Sequence, residues 1–549
     1  MERVRWTALL MIMAWAASGQ DRHQSRSIVY SRHGVVATSH ALATQAGVRM
    51  LERGGSAVDA AIAANAVLSV VEPMMCGPGG DLFLIHRDGR SGKLEGLNAS
   101  GWAPAGLSAE WLREQGHRTM PASGIHTVTV PGAVAGWAAA HARFGRLPWR
   151  VLFEDAIELA EKGHPVHEVI ASLWDAPRVR ESEEAARVFL PAPKAGELFR
   201  NPALALTLRR IAEGGADAFY RGPVAQAILE ASRRAGGRMS AADLAEYEPE
   251  WVAPISTTYR GWRVLELPPN GQGLAALLML NIMEQFPAPA GGPLSAEALH
   301  WKIESMKLAY ADLMAYNADP RQARVPLQGL LSKQYARRRS QEIDWKRANC
   351  AAKAGEPRES DTTYLAAADA AGNVVSWIQS IRAAWGSGIS PEGTGFLLQN
   401  RGSDFVLTPG HPNELKPRKR SFHTIIPGFL EKEGVILAFG IMGGANQPLA
   451  HAQFVSNMAD YGMNPQAAME AARFTKAGPQ GCDVQLEARV PGAAVEALRA
   501  LGHLVELRLD YSMNMGRGAV AGVDLRTGVQ FGAADPRGDG HAAPALRSR

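Results

Sequence analysis

The sequence predicts an α+β protein in four layers, two antiparallel sheets stacked face to face with helices outside them (αββα). Three observations carry that expectation. Two helical patterns followed by an apolar strand stand near the N-terminus, and residues 150–350 are mainly helical by periodicity. After 350 the chain breaks into short strand-like runs separated by Gly, Pro and Asn turns. With 549 residues, 46% hydrophobic and 20% charged, the composition is that of a soluble globular protein with a sizeable core.

In order along the chain, "MERVRWTALLMIMAWAASGQ" has Arg3 and Arg5, an apolar run from Trp6 to Ala17, then small residues. This is the order of a secretory signal and too short to span a bilayer. Residues 1–19 are therefore expected to be a signal peptide, and the protein to be exported, periplasmic or extracellular. No other segment approaches 18 uninterrupted apolar residues, so no membrane span is expected. "HGVVATSH" reads as the first strand, and "ALATQAGVRMLERGG" as a helix ended by Gly54-Gly55. "SAVDAAIAANAVLSVVEP" is a second helix, apolar on all sides and so expected between layers. "GPGGDLFLIHRD" gives a Gly-rich turn and a strand, without the context of a dinucleotide fingerprint.

Farther on, Ser295 is placed to cap the amphipathic helix "SAEALHWKIESMKLAYADLMAY", and "PISTTYRGWRVLELPP" holds strands. A hairpin is expected over "ESDTTYLAAADAAGNVVSW", with strands in "GFLLQNRGSDFVL", "HTIIPGFL" and "VILAFGIMGG". A closing hairpin covers "GAVAGVDLRTGVQFGAADPRGDG".

The net charge of +4 is small, and the dense basic run "KPRKR" (416–420) reads as a solvated loop, so no nucleic-acid partner is expected. Three cysteines, Cys76, Cys350 and Cys482, exclude a disulfide framework while allowing a single bridge. No Cys/His spacing suggests zinc, and nothing marks a cysteine nucleophile.

The hairpin at 359–377 poses the chemical question, because Thr362 and Thr363 follow Asp361 with no histidine or lysine beside them. A threonine hydroxyl needs a base, and its own α-amino group can serve once the preceding peptide bond is cut. "AKAGEPRES" before it reads as an exposed, flexible segment suited to such a cut. On residues alone, Thr-Thr at a strand start is commonplace. Asp404 could equally cap a turn, His423 sit in the core, and Gly443-Gly444 form a tight strand-to-helix turn.

The stretch "DTTYLAAADAAGNVVSWIQSIRAAWGSGISPEGTGFLLQNRGSDF" resembles the start of the small subunit of the γ-glutamyltransferase (glutathione hydrolase) family of N-terminal nucleophile hydrolases. "GGSAVDAAIAANAVLSVVEPMMCGPGGDLFLI", "TVPGAVAGW", "PPNGQG", "SFHTIIP", "GIMGGANQP" and "GAADPRGDG" resemble further family blocks in the family's order. The resemblance implies a cut before Thr362, giving a large subunit (20–361) and a small subunit (362–549) that form a heterodimer. It implies Thr362 as nucleophile, Ser380 as a hydroxyl bonded to it, and Gly443 and Gly444 as the oxyanion hole. Asn400 and Asp404 would bind substrate, the carboxylate holding the α-ammonium of a glutamyl group. His423 and Thr424 would contact the substrate carboxylate. Neither a metal nor an organic cofactor is implied, and the substrate would be a small γ-glutamyl or related amide. Asp535 and Arg537 are expected to pair near the end of the small chain.

Three positions depart from the family pattern. "GLNASGWAPAG", with Ser100 and Trp102, lacks the arginine that clamps the substrate α-carboxylate; Tyr364 replaces a usual histidine; and Arg382 stands where a polar or aromatic residue is usual. Arg382 is the candidate to supply the lost charge, since a bidentate arginine is hard to replace. The alternatives are the family's acylase branch, which cleaves glutaryl- or cephalosporin-type amides, and a non-catalytic exported binding protein on the same scaffold.

Overall fold

The computed structural model describes residues 24–174, 177–352, 363–478 and 481–547. The signal-like segment 1–19, most of "AKAGEPRES" and the Asp361-Thr362 junction lie outside them. Two seven-stranded sheets form the centre. One runs in the order 541–544, 34–38, 363–369, 374–380, 81–87, 94–99, 250–252. The other runs 29–31, 529–534, 517–524, 435–442, 428–432, 262–266, 255–259. All their ladders are antiparallel.

The expected layers follow from which face each strand residue buries. Tyr364, Ala366 and Ala368 join Phe83, Ile85, Phe429 and Ala438 in the core between the sheets. Leu365 and Ala367 point the other way, into the core shared with helices Ala41–Glu52 and Ala57–Val71. Both faces are covered, which is why the alternation in "TYLAAAD" is weak. Helices Gly273–Met283, Ala296–Tyr316 and Gln447–Ala459 cover the outer face of the second sheet. The sheets meet closely at Gly440, where an added Cβ would lie 2.4 Å from the Tyr364 ring. Gly440→Ala is therefore expected to destabilise the fold by about 1–3 kcal/mol through overpacking, read as a lower urea midpoint.

The predicted helix starts are found. Ser56 and Asp59 form a reciprocal capping box, and all residues of Ala57–Val71 are buried. Ser295 caps Ala296–Tyr316 by accepting from the Ala298 N–H. That helix is not amphipathic, however, because residues 298–313 are buried. Helix Gly492–Ala500 packs over it, and three of its charges are paired, Lys307 with Glu304 at 2.7 Å and Asp312 with Arg339 at 3.1 Å.

Two other expectations are corrected. "GFLLQNRGSDFVL" forms no strand; it carries a 3-10 turn, Arg401–Asp404. Its backbone bonds in succession to three segments, Leu398 to Ile389, Gln399 to Gly79 and Asn400 to Ile381, which no single ladder could satisfy. "KPRKR" is not wholly solvated, since Lys419 and Arg420 are buried with acceptors of their own. Lys419 Nζ donates to the Pro412 and Glu414 carbonyls, and Arg420 pairs with Glu250. Asp535 and Arg537 pair at 3.1 Å, with Arg473 and Glu487 completing the buried network. Cys350 and Cys482 form a disulfide, whereas Cys76 is a buried thiol. Among the described residues no helix is long and apolar enough to cross a membrane.

Candidate active site

Thr362 itself lies outside the described residues. Thr363 opens the central strand Thr363–Asp369 and is paired with Gln379, the residue before Ser380. Gln379 is fixed from the Gly-rich turn, donating to the Gly77 carbonyl at 3.0 Å while accepting from Asn65 at 2.7 Å. Ser380 ends its strand fully buried, and its Oγ accepts from the Arg382 N–H at 2.7 Å.

Beyond Ser380 the chain turns sharply, and Arg382 adopts φ +81°, uncommon for a residue with a Cβ. The turn aims its guanidinium at Asp404, with Nη2 2.7 Å from Oδ1 and Nε 3.2 Å from both oxygens. Arg401 adds a bond from Nη1 to Asp404 Oδ2 at 3.2 Å, and the same nitrogen donates to Thr424 Oγ1 at 2.8 Å. Arg401 also lies 3.9 Å from Asp81, whose Oδ2 is 2.9 Å from His423 Nε2. The His423 Nδ1 accepts from the Ile425 N–H, so Nε2 carries the proton and donates to Asp81. Asn400 is used locally, its Oδ1 accepting from the Ala383 N–H and its Nδ2 donating to the Ala122 carbonyl. The structure thus gathers Ser380, Arg382, Asn400, His423 and Thr424, all buried, around Asp404, whose side chain is 6% exposed.

The cluster's charges balance, two guanidinium groups against Asp81 and Asp404, with His423 neutral. Burial alone would raise the Asp404 carboxyl, but Arg382 and then Arg401 outweigh it and hold it below the usual carboxylate range. Burial, reinforced by Arg401, lowers His423 to about 4 despite its bond to Asp81. Its folded value lies below the unfolded 6.5, so its contribution is intact above that value and is lost as pH falls toward 4. The loss from His423 is about 3 kcal/mol at most. Asp404, also depressed when folded, acts with the same sign at lower pH. Urea midpoints taken from pH 7 to pH 4 are accordingly expected to fall steadily; His423→Gln should flatten the upper part of that slope.

Gly443 and Gly444 follow strand Val435–Met442 with φ +140° and +59°, values that a side chain would strain. They turn the chain into helix Gln447–Ala459. Gln272, from "PPNGQG", ties this turn to the cluster by donating from Nε2 to the carbonyls of Gly444 (2.7 Å) and Thr424 (2.5 Å). Where the family's carboxylate-clamping arginine is missing, Ser100 Oγ donates to Asn98 and its carbonyl accepts from Arg420 Nε at 3.0 Å. Trp102 is packed beneath Arg321 and Arg418. A cavity of about 260 Å³ lies beside Asp404, walled also by Ser403, Phe405, His411, Asn413 and Arg118.

Asp81, Arg401 and Gln272 were not among the predicted site residues. One signal could have found the first two, since a charge at the head of an apolar strand or inside "LLQNRGSDF" must be paired once buried. Among the described residues, His300, Glu304 and His503 bring potential metal-ligand atoms within 4.8 Å of one another. Glu304 is already bound by Lys307, and His300 and His503 hydrogen-bond each other at 2.8 Å, contacts that a cation would have to break.

Residues 43–545 match the family model for gamma-glutamyltranspeptidase. The glutathione hydrolase-like YwrD proenzyme of Bacillus subtilis is 37% identical, over 94% of this chain and 99% of its own. The oxamate amidohydrolase proenzyme of Klebsiella pneumoniae is 34% identical over 93% and 98%. Among solved structures, the cephalosporin acylase from Bacillus halodurans superposes with a TM-score of 0.88 at 41% identity, covering 96% of this chain and 98% of that one.

Proposed function

The chain belongs to the γ-glutamyltranspeptidase family, and from that premise we propose how it works as a self-processing N-terminal threonine hydrolase. It is exported, loses residues 1–19, and cuts itself between Asp361 and Thr362 into two chains that stay together. The freed amine of Thr362 takes the proton of its own hydroxyl, and Oγ attacks the carbonyl carbon of an amide. The N–H groups of Gly443 and Gly444 receive the developing oxyanion, while Ser380 orients the nucleophile. The C–N bond then breaks, the amine leaves with the proton, and water or an amino acid resolves the acyl-enzyme.

One observation supports placing these residues in a single machine. An unbroken series of hydrogen bonds runs from Ser380 through Arg382, Asp404, Arg401, Thr424 and Gln272 to Gly444. The default substrate is a γ-glutamyl amide of the glutathione type, with Asp404 receiving the α-ammonium. A second reading, an acylase for amides of dicarboxylic acids lacking that ammonium, is favoured by the bonds that Arg382 and Arg401 already make to Asp404. Relatives named for cephalosporin acylase and oxamate amidohydrolase activity stand on that side.

The purified exported protein, assayed with a γ-glutamyl anilide and a glutaryl anilide, separates the readings. Preference for the first keeps the glutathione-type assignment, and preference for the second transfers it to the acylase. An uncut chain that forms no acyl adduct with either would instead mark a binding protein.

A further inference from the structure

The disulfide lies astride the proposed cut. Cys350 is near the C-terminal end of the long chain, and Cys482 lies well inside the short one, 132 residues later. We propose that the Cys350–Cys482 disulfide makes the matured enzyme one covalent molecule, replacing the peptide link that processing removes. This rests on the self-processing reading, but not on the bond chosen, since any cut between the two cysteines leaves them on different fragments.

The surroundings show a built seam between the two chains rather than a chance approach. Beside the bridge, the Ala348 N–H of the long chain donates to the Leu501 carbonyl of the short one at 2.7 Å, while within the short chain the Leu504 N–H holds the Cys482 carbonyl at 2.7 Å. Nearby, His300 Nε2 donates to the Asp344 carbonyl, so its Nδ1 accepts from His503 Nε2 at 2.8 Å, again from one chain to the other. Cys482 is buried and Cys350 exposed, so the bridge is held on one side and open to thiol reagents on the other. Cys76 is buried elsewhere in the core, beneath the helix Ala57–Val71 layer, and does not compete for either partner.

Forming the bridge removes two protons and two electrons from two thiols. A disulfide-bearing thiol oxidant of the export compartment accepts them and is itself reduced to two thiols. Once the bridge is made and the chain cut, separating the fragments is no longer a bimolecular equilibrium. Dilution then cannot part them even when the fold is lost, because the two fragments share one molecule.

The test uses the full-length protein exported with its own leader, with thiols blocked by N-ethylmaleimide before denaturation. Denaturing gels with and without reductant are read together with a non-reduced peptide map. One species without reductant and two with it, together with a peptide joining Cys350 to Cys482, is the expected result. Cys482→Ser should lose that single species and run as two fragments in both lanes. Its thermal midpoint should become dependent on protein concentration, whereas the parent's should not. Two fragments in the parent without reductant would overturn the covalent link while leaving self-processing intact. One species in both lanes would remove the second chain, and the proposal with it; the peptide map would then report on the bridge alone.

Discussion

Thr362→Ala is expected to give a single uncut chain whose amide hydrolysis is lower by about 10⁴-fold or more. The substitution removes the attacking oxygen from both proposed reactions, the self-cleavage and the acyl transfer. Thr362→Ser keeps the oxygen and should retain both in part. Gel analysis reads the first reaction and an anilide assay the second. A cut and active Thr362→Ala protein would refute the assignment of this residue. A variant that is uncut yet fully active would separate the two reactions and leave the N-terminal amine without its role.

Asp404→Asn is expected to cost about 3–5 kcal/mol of stability, among the largest effects open to one side chain here. Asp404 is the carboxylate that Arg382 and Arg401 share, and all three side chains are at most 6% exposed. Removing its charge strands two guanidinium groups in a low-dielectric interior, with Asp81 as the remaining partner, 3.9 Å from Arg401. Arg382→Gln added to Asp404→Asn restores the balance of charge and should recover part of the loss. The double-mutant cycle in urea then isolates the coupling. Independent, additive effects would show that the ion pair contributes only packing. The same variants bear on substrate choice. If Asp404 receives an α-ammonium, Asp404→Asn raises KM for a γ-glutamyl anilide and leaves that for a glutaryl anilide unmoved.

Much of this architecture was legible because it rests on short-range chemistry. The helix ended by Gly54-Gly55, Ser295 before a long helical pattern, and paired glycines after "VILAFGIM" each carry a local signal. What was not legible depends on partners distant in sequence. Nothing near Arg382 reveals that it meets Asp404, or that Arg420 is buried against Glu250. Both require the turn after Ser380 and the loop at 401–424 to be placed by the sheets. The run 396–407 reads as a strand because its apolar residues are buried, but burial came from surrounding loops and not from a ladder. The helix 296–316 was misjudged for the opposite reason, since its charges are satisfied inside the protein and so do not mark a wet face.

The order of the strands has a consequence for how molecules of this protein relate to one another. Residues before 353 and residues after 362 share both seven-stranded sheets, with 34–38 lying between 541–544 and 363–369, and 428–432 bonded to 262–266. Neither portion completes either of the two large sheets by itself, so neither is expected to hold the central layers alone and wait for a partner. Two variants matured separately and then mixed should never yield hybrids. Complementation between damaged copies is thus closed to the mature protein, and each molecule keeps for life the two portions that came from one act of translation.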